Sequence, residues 1–373
     1  MINRKGPLLA AVMLAGSQTA FANDLNINGF MSVGAGVLTN KDVTSSGYDD
    51  DLSFNQDTMV ALQVSKQVND STSATTQFVA RGSEDYKTEN SWAYVTYSVN
   101  ENTDLRIGRL RSPFFYYSDF LEVGYAYNWV RPPSEVYSRL DVFSSVNGID
   151  LTRSFSAGSV DGSVQVYYGR FNDTFAPVKK AFQIELRNFG GAVLNLSQGN
   201  WGARVSYHQA DLYMPDLAAN PTGDPLEALV AGAVASGLSD EFLPDGDTAK
   251  FYEAAITYDN GSTSFITEWT SLDHETELFL NDTAYLVSLA QRFDDTTVHL
   301  TYTSDKDEKR SGTIGTLQNN LRGEENSIIL GARFDYDAGT AFKVEAQYVD
   351  EKLRLGQEGE SAMLYSVAVD LVF

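Results

Sequence analysis

The sequence predicts an all-β fold: a transmembrane, antiparallel, up-and-down β-barrel of about sixteen strands. Three observations carry this reading. Strand-length segments alternate apolar and polar side chains with a period of two. The connections between them alternate short and long. The chain opens like an exported protein, yet it has no apolar run of the ~20 residues a membrane-spanning helix needs. The best candidate, PLEALVAGAVASGL at 225–238, is too short.

The leader comes first. Residues 1–22, MINRKGPLLAAVMLAGSQTAFA, carry Arg4 and Lys5, an apolar run from Leu8 to Gly16, and the small-x-small triplet Ala20-Phe21-Ala22. That order reads as a secretory signal peptide, with cleavage expected between Ala22 and Asn23. One domain, 23–373, is expected to follow. Cleavage would remove two of the 27 Lys and Arg and none of the 50 Asp and Glu, moving the net charge from −23 to −25. Such acidity argues against a nucleic-acid partner. There is no cysteine, so disulfides take no part in the fold. Twenty tyrosines, 21 phenylalanines and 29 glycines against 9 prolines favour β-structure.

The alternation predicts strands over 25–38, 54–68, 72–83, 89–99, 103–110, 146–156, 160–171, 180–197, 201–210, 250–258, 261–272, 283–293, 296–304, 326–336, 340–353 and 361–373. Within TTVHLTYT, Val298, Leu300 and Tyr302 share one face, and Thr297, His299 and Thr301 the other. Within FKVEAQY, Phe342, Val344, Ala346 and Tyr348 oppose Lys343, Glu345 and Gln347. Within KAFQIELR, Phe182, Ile184 and Leu186 oppose Gln183, Glu185 and Arg187. Segment 180–197 contains Asn188-Phe189-Gly190-Gly191, which fits a bulge or a turn.

Tight turns occur at NDS (69–71), NEN (100–102), QGN (198–200), NGS (260–262), DDT (294–296) and DAG (337–339). Longer segments lie between them: 39–53, 111–145, 172–179, 211–249, 273–282, 305–325 and 354–360. Sorting by length puts turns at one end of a barrel and loops at the other. Aromatics such as Tyr252, Tyr258, Tyr285 and Phe293 mark strand ends, as interfacial girdles do. The last segment, LYSVAVDLVF, places Tyr365, Val367, Val369, Leu371 and Phe373 on one face, which suits lipid.

Leader, alternating strands, sorted loops and terminal Phe together resemble the Gram-negative trimeric porins, over the whole of 23–373. The resemblance implies sixteen strands with periplasmic termini and a homotrimer in the outer membrane, among lipid and lipopolysaccharide. It implies passive diffusion of small hydrophilic solutes and ions. It also implies that Tyr365, Leu371 and Phe373 form a C-terminal signature read by the barrel-assembly machinery. A selective channel with a saturable site for an organic acid or sugar is the alternative.

In that family the third external loop folds inward and narrows the channel. Here the matching segment is 111–145, which lacks alternation and is dense in aromatics, including Phe114, Phe115, Tyr116, Tyr117, Phe120, Tyr125, Tyr127 and Trp129. Arg131-Pro132-Pro133 would stiffen it, since proline fixes φ. The family opposes acids on this loop with arginines on the wall. Candidates on the loop are Asp119, Glu122, Glu135 and Asp141, with Arg131. Candidates on the wall are Arg81, Arg106, Arg109, Arg187, Arg204 and Arg333. Arg109 and Arg111 fall in the apolar parity of their strand, so a bulge or strand end must turn them, and Arg109 could instead anchor the loop.

Segment 211–249 is expected to be a long external loop carrying a short helix. Acids cluster in the long connections at YDDD (48–51), DHETE (273–277), DKDEK (305–309) and GEE (323–325). They could bind divalent cations, bias the mouth towards cations, or only be solvated. Three histidines, His208, His274 and His299, stand far apart in the sequence, and no hydrolase, metalloprotease or nucleotide-binding motif occurs. No enzyme activity, metal or cofactor is expected.

Overall fold

The computed structural model describes residues 25–175, 181–217 and 225–373. The expected leader and its cleavage site at Ala22 and Asn23 lie outside the described residues. The wall consists of β1 (Leu25–Leu38), β2 (Met59–Asn69), β3 (Thr72–Arg81), β4 (Thr88–Asn100), β5 (Thr103–Arg111), β6 (Ser145–Ala157), β7 (Val160–Phe175) and β8 (Phe182–Gln198). It continues through β9 (Trp201–Tyr213), β10 (Asp245–Asp259), β11 (Thr263–His274), β12 (Asp282–Phe293), β13 (Thr296–Asp307), β14 (Glu324–Asp335) and β15 (Thr340–Arg354). A two-residue strand, β16 (Gln357–Glu358), lengthens one loop against β15, and β17 (Ser361–Val372) completes the wall.

Sixteen strands therefore close the barrel, and each pairs antiparallel with its neighbours in sequence. β1 pairs with β2 on one side and with β17 on the other, with Phe30 opposite Val372. At this seam the backbones of Gly29 and Phe373 exchange both hydrogen bonds, at 2.7 and 2.9 Å. Gly29 is needed there, because a Cβ would run into the Phe373 ring. Segment 180–197 is one strand. β2 begins at Met59 rather than 54, because 54–58 belongs to the first external loop.

The two faces differ as the alternation requires. Val298, Leu300, Tyr302, Ile328, Leu330, Phe334, Val344, Val367 and Trp269 point outward and are exposed, forming a band that suits lipid. Thr297, His299, Thr301, Lys343, Glu345, Ser366 and Asp370 point inward and are buried. Among the described residues no helix is long and apolar enough to cross a membrane.

β8 departs from the expected faces. Phe182, Ile184 and Leu186 are buried inside the barrel, while Gln183 and Arg187 are exposed. The cause is a bulge: Asn188 has φ 50°, and the β8–β9 register shifts between Arg187 and Gly190. An extra residue exchanges the faces of a strand. Beyond the bulge Phe189 and Val193 face inward again. The inward apolar residues of β8 join an internal core with Leu212, Phe251 and Leu286. Part of this core comes from α2 (Pro225–Ala235) in the long external loop, through Leu226, Leu229, Val230 and Ala233. That helix therefore packs inward as a cap over one side of the mouth.

Candidate functional site: the inward-folded loop

β5 ends at Arg111, and residues 112–144 turn into the lumen before β6 begins. The loop carries four single-turn elements, including α1 (Ser134–Tyr137). Its aromatics explain the inward fold. Phe114 stacks on Phe189 at 5.8 Å and meets His208 and Phe251 edge-on at 5.0 and 5.4 Å. Tyr117 meets Trp129 and Tyr137 edge-on, at 5.6 and 5.9 Å. Phe114, Phe115, Tyr127, Trp129 and Tyr137 are all buried. These rings pack on each other and on the wall, while Tyr116, Tyr117, Phe120 and Tyr125 are half-buried.

The wall holds the loop through its backbone. Arg204 donates to Pro113 O at 2.5 Å and pairs with Glu253 at 3.1 Å. Glu268 accepts from Tyr116 N–H at 3.0 Å and from the Tyr137 hydroxyl. Lys343 donates to Gly124 O and Trp129 O, each at 2.6 Å, and pairs with Asp370 at 2.8 Å. Arg333 donates to Tyr125 O at 2.7 Å and Tyr127 O at 2.9 Å. Glu345 accepts from Val130 N–H at 2.9 Å. Buried charges need such partners, since an uncompensated one is costly.

The candidate arginines thus divide. Arg81 and Arg106 face the lumen. Arg81 pairs with Glu89 and with Glu122 of the loop. Arg106 pairs with Asp150 at 2.9 Å, and Asp150 also accepts from Gln165 at 2.5 Å. Arg204 and Arg333 lie beneath the loop as its anchors and do not line an open passage. Arg187 is not on the lumen wall: the Asn188 bulge places it outside, paired with Glu185 at 2.7 Å and 4.1 Å over the Tyr213 ring. Gly108, at φ 142°, lies within β5, whose pairing with β4 and β6 continues through it. Past it, half-buried Arg109 makes no ion pair among the described residues, while Arg111 donates to Ser118 O at 3.0 Å and reaches Glu122 at 3.7 Å. Arg111 is the basic residue that belongs with Arg81.

The loop residues divide as well. Asp119 is exposed and lies in the field of Arg106. Asp141 is open to lumenal water, yet the surrounding protein pushes its carboxyl up to about 6 against the pull of Arg111 and Arg81. Glu135 does not line the passage. It is buried, 3 % exposed, where α1 packs on β12 and β13, and burial raises its carboxyl above the ordinary range. Arg131 braces the loop: it grips Asp57 at 2.5 and 2.9 Å, donates to Ser366 at 2.7 Å and covers the Tyr48 ring. The expected arrangement had acids facing arginines across water. Here Glu122 closes on Arg81 directly.

Sequence reasoning missed Asp57, Glu268, Lys343, Glu345 and Asp370 as site residues. For the four strand residues a signal was available, since each is a charge on an inward stripe. What they hold is loop backbone, which side-chain patterns do not reveal.

Neither the family models nor the curated proteins contain a match to this chain. Solved structures do match. A loop-deleted OmpT, an outer membrane protein of Vibrio cholerae, superimposes with a TM-score of 0.61 at 13 % identity, covering 95 % of this chain and 100 % of that one. The outer membrane channel DcaP of Acinetobacter baumannii gives 0.59 at 12 %, covering 96 % and 100 %. The anion-selective porin of Comamonas acidovorans gives 0.57 at 12 %, covering 94 % and 100 %. The chain has the porin fold. At these identities the likeness extends to architecture, and the charges inside this barrel have to be read from its own residues.

Proposed function

We propose that the protein is an outer-membrane porin that lets small hydrophilic solutes and ions diffuse passively through its lumen. One observation carries the reading: a closed sixteen-strand barrel, apolar outside, holds a polar interior narrowed by an inward loop. A structural barrel would have no need for charged groups such as Asp119 and Arg106 on water-facing surfaces inside. Assembly as a homotrimer, among lipid and lipopolysaccharide, is part of the proposal. It draws on the fold neighbours, among which OmpT of Vibrio cholerae has a trimer form. An enzyme reading has no comparable support: His208 sits between Tyr167 at 2.8 Å and Ser206 at 2.9 Å, buried under Phe114. Reconstitution of the purified chain in planar bilayers tests the function. Ohmic current steps are expected, and saturation by one solute at low concentration would favour the selective-channel alternative.

A further inference from the structure

The wall grips the loop unevenly. Before residue 118, anchors reach the backbone at Pro113, Phe114 and Tyr116, from Arg204, Ser206 and Glu268. After residue 123, anchors reach Gly124, Tyr125, Tyr127, Trp129 and Val130, from Lys343, Arg333 and Glu345. Between these clamps, residues 118–123 cross towards β1, β3, β4 and β5. The wall holds this stretch through Arg111 on Ser118 O at 3.0 Å, through Val123 against Phe30, Ala61 and Val79, and through one carboxylate, while half-buried Leu121 packs against the internal apolar core. That carboxylate is Glu122. It meets Arg81, Gln77 at 3.3 Å and Arg111 at 3.7 Å. Tyr127 adds a bond from within the loop, to Leu121 O at 3.1 Å. The seam, lined by Phe30, Trp92, Arg111 and residues 118–123, is packed too tightly to admit a water molecule.

We propose that residues 118–123 are a flap which opens and closes the passage, and that Glu122 is its latch. This rests on the porin reading and extends it. With both flanks fixed to β9–β15, the flap can swing off the β3–β5 wall without unfolding the rest of the loop. Its release breaks the contacts of Glu122 and Arg111 and unseats Val123. The released Glu122, Arg81 and Arg111 then become water-facing charges of the opened passage. Glu122 therefore sets both how often the passage opens and how wide it is.

The test is single-channel recording of the full chain and of E122Q, with heat-modified gel mobility confirming that each is folded. A neutral amide cannot satisfy two guanidinium groups, and loss of a charge-assisted contact is worth roughly tenfold in the open fraction. We expect E122Q to open roughly tenfold more often, or to carry larger steps. E122D, which keeps the charge between Arg81 and Arg111, should stay closer to wild type than E122Q. Identical currents in wild type and folded E122Q overturn the latch while leaving the porin reading intact. Silence from every folded variant overturns the porin reading itself.

Discussion

Asp119 and Arg106 are the charges whose roles are simplest to separate. Arg106 is shared with Asp150, whereas Asp119 is exposed on the loop and makes no ion pair among the described residues. A unit charge a few ångströms from a passing ion contributes about 1 kcal/mol in water, roughly a fivefold change in local concentration. D119N should therefore shift the reversal potential in a salt gradient towards anions, and R106Q should shift it towards cations. R187Q should leave it unchanged, because Arg187 is outside the barrel. Asp141 adds a pH dependence. Its carboxyl titrates near 6, so it is neutral below that pH and charged above. Cation preference should rise as pH rises through about 6, and D141N should abolish that rise.

Among the elements, the loop and the strand stripes beneath it act as one unit. Lys343 shows why. Its ammonium is fully buried, bonded to two loop carbonyls and to Asp370. K343M would leave Asp370 without a cation and cost roughly 3–5 kcal/mol. A lower urea midpoint followed by tryptophan fluorescence would show it. Deleting 114–128 should raise single-channel current, since it removes the flap and most of the aromatic packing; an unchanged current would show that the loop does not limit flow. Strand positions were legible in the sequence because parity is local: Lys343, Glu345 and Asp370 are readable as inward from their neighbours alone. Arg187 was not, because the Asn188 bulge that reverses it is defined by register with β7 and β9. Glu135 and Glu122 were not separable either. A loop has no parity, and which acid is buried depends on where α1 meets β12 and β13.

At the scale of the molecule, two kinds of interior share one barrel. Around β8–β12 the lumen is filled by an apolar core that includes α2 and the aromatics of the loop. Around β3–β6 it carries paired and free charges. The alternation of the strands announced the barrel, but not this division. Apolar residues facing inward on β8 look the same, in sequence, as apolar residues facing lipid. The division leaves the charged side for passage, beside the Glu122 seam. The most direct test of that account is planar-bilayer conductance of the folded protein in a salt gradient, at neutral pH. Ohmic steps with a reversal potential that leans towards cations, set by Asp119 and Asp141, are the predicted result. A folded, inserted protein that carries no current, with or without Glu122, would contradict it.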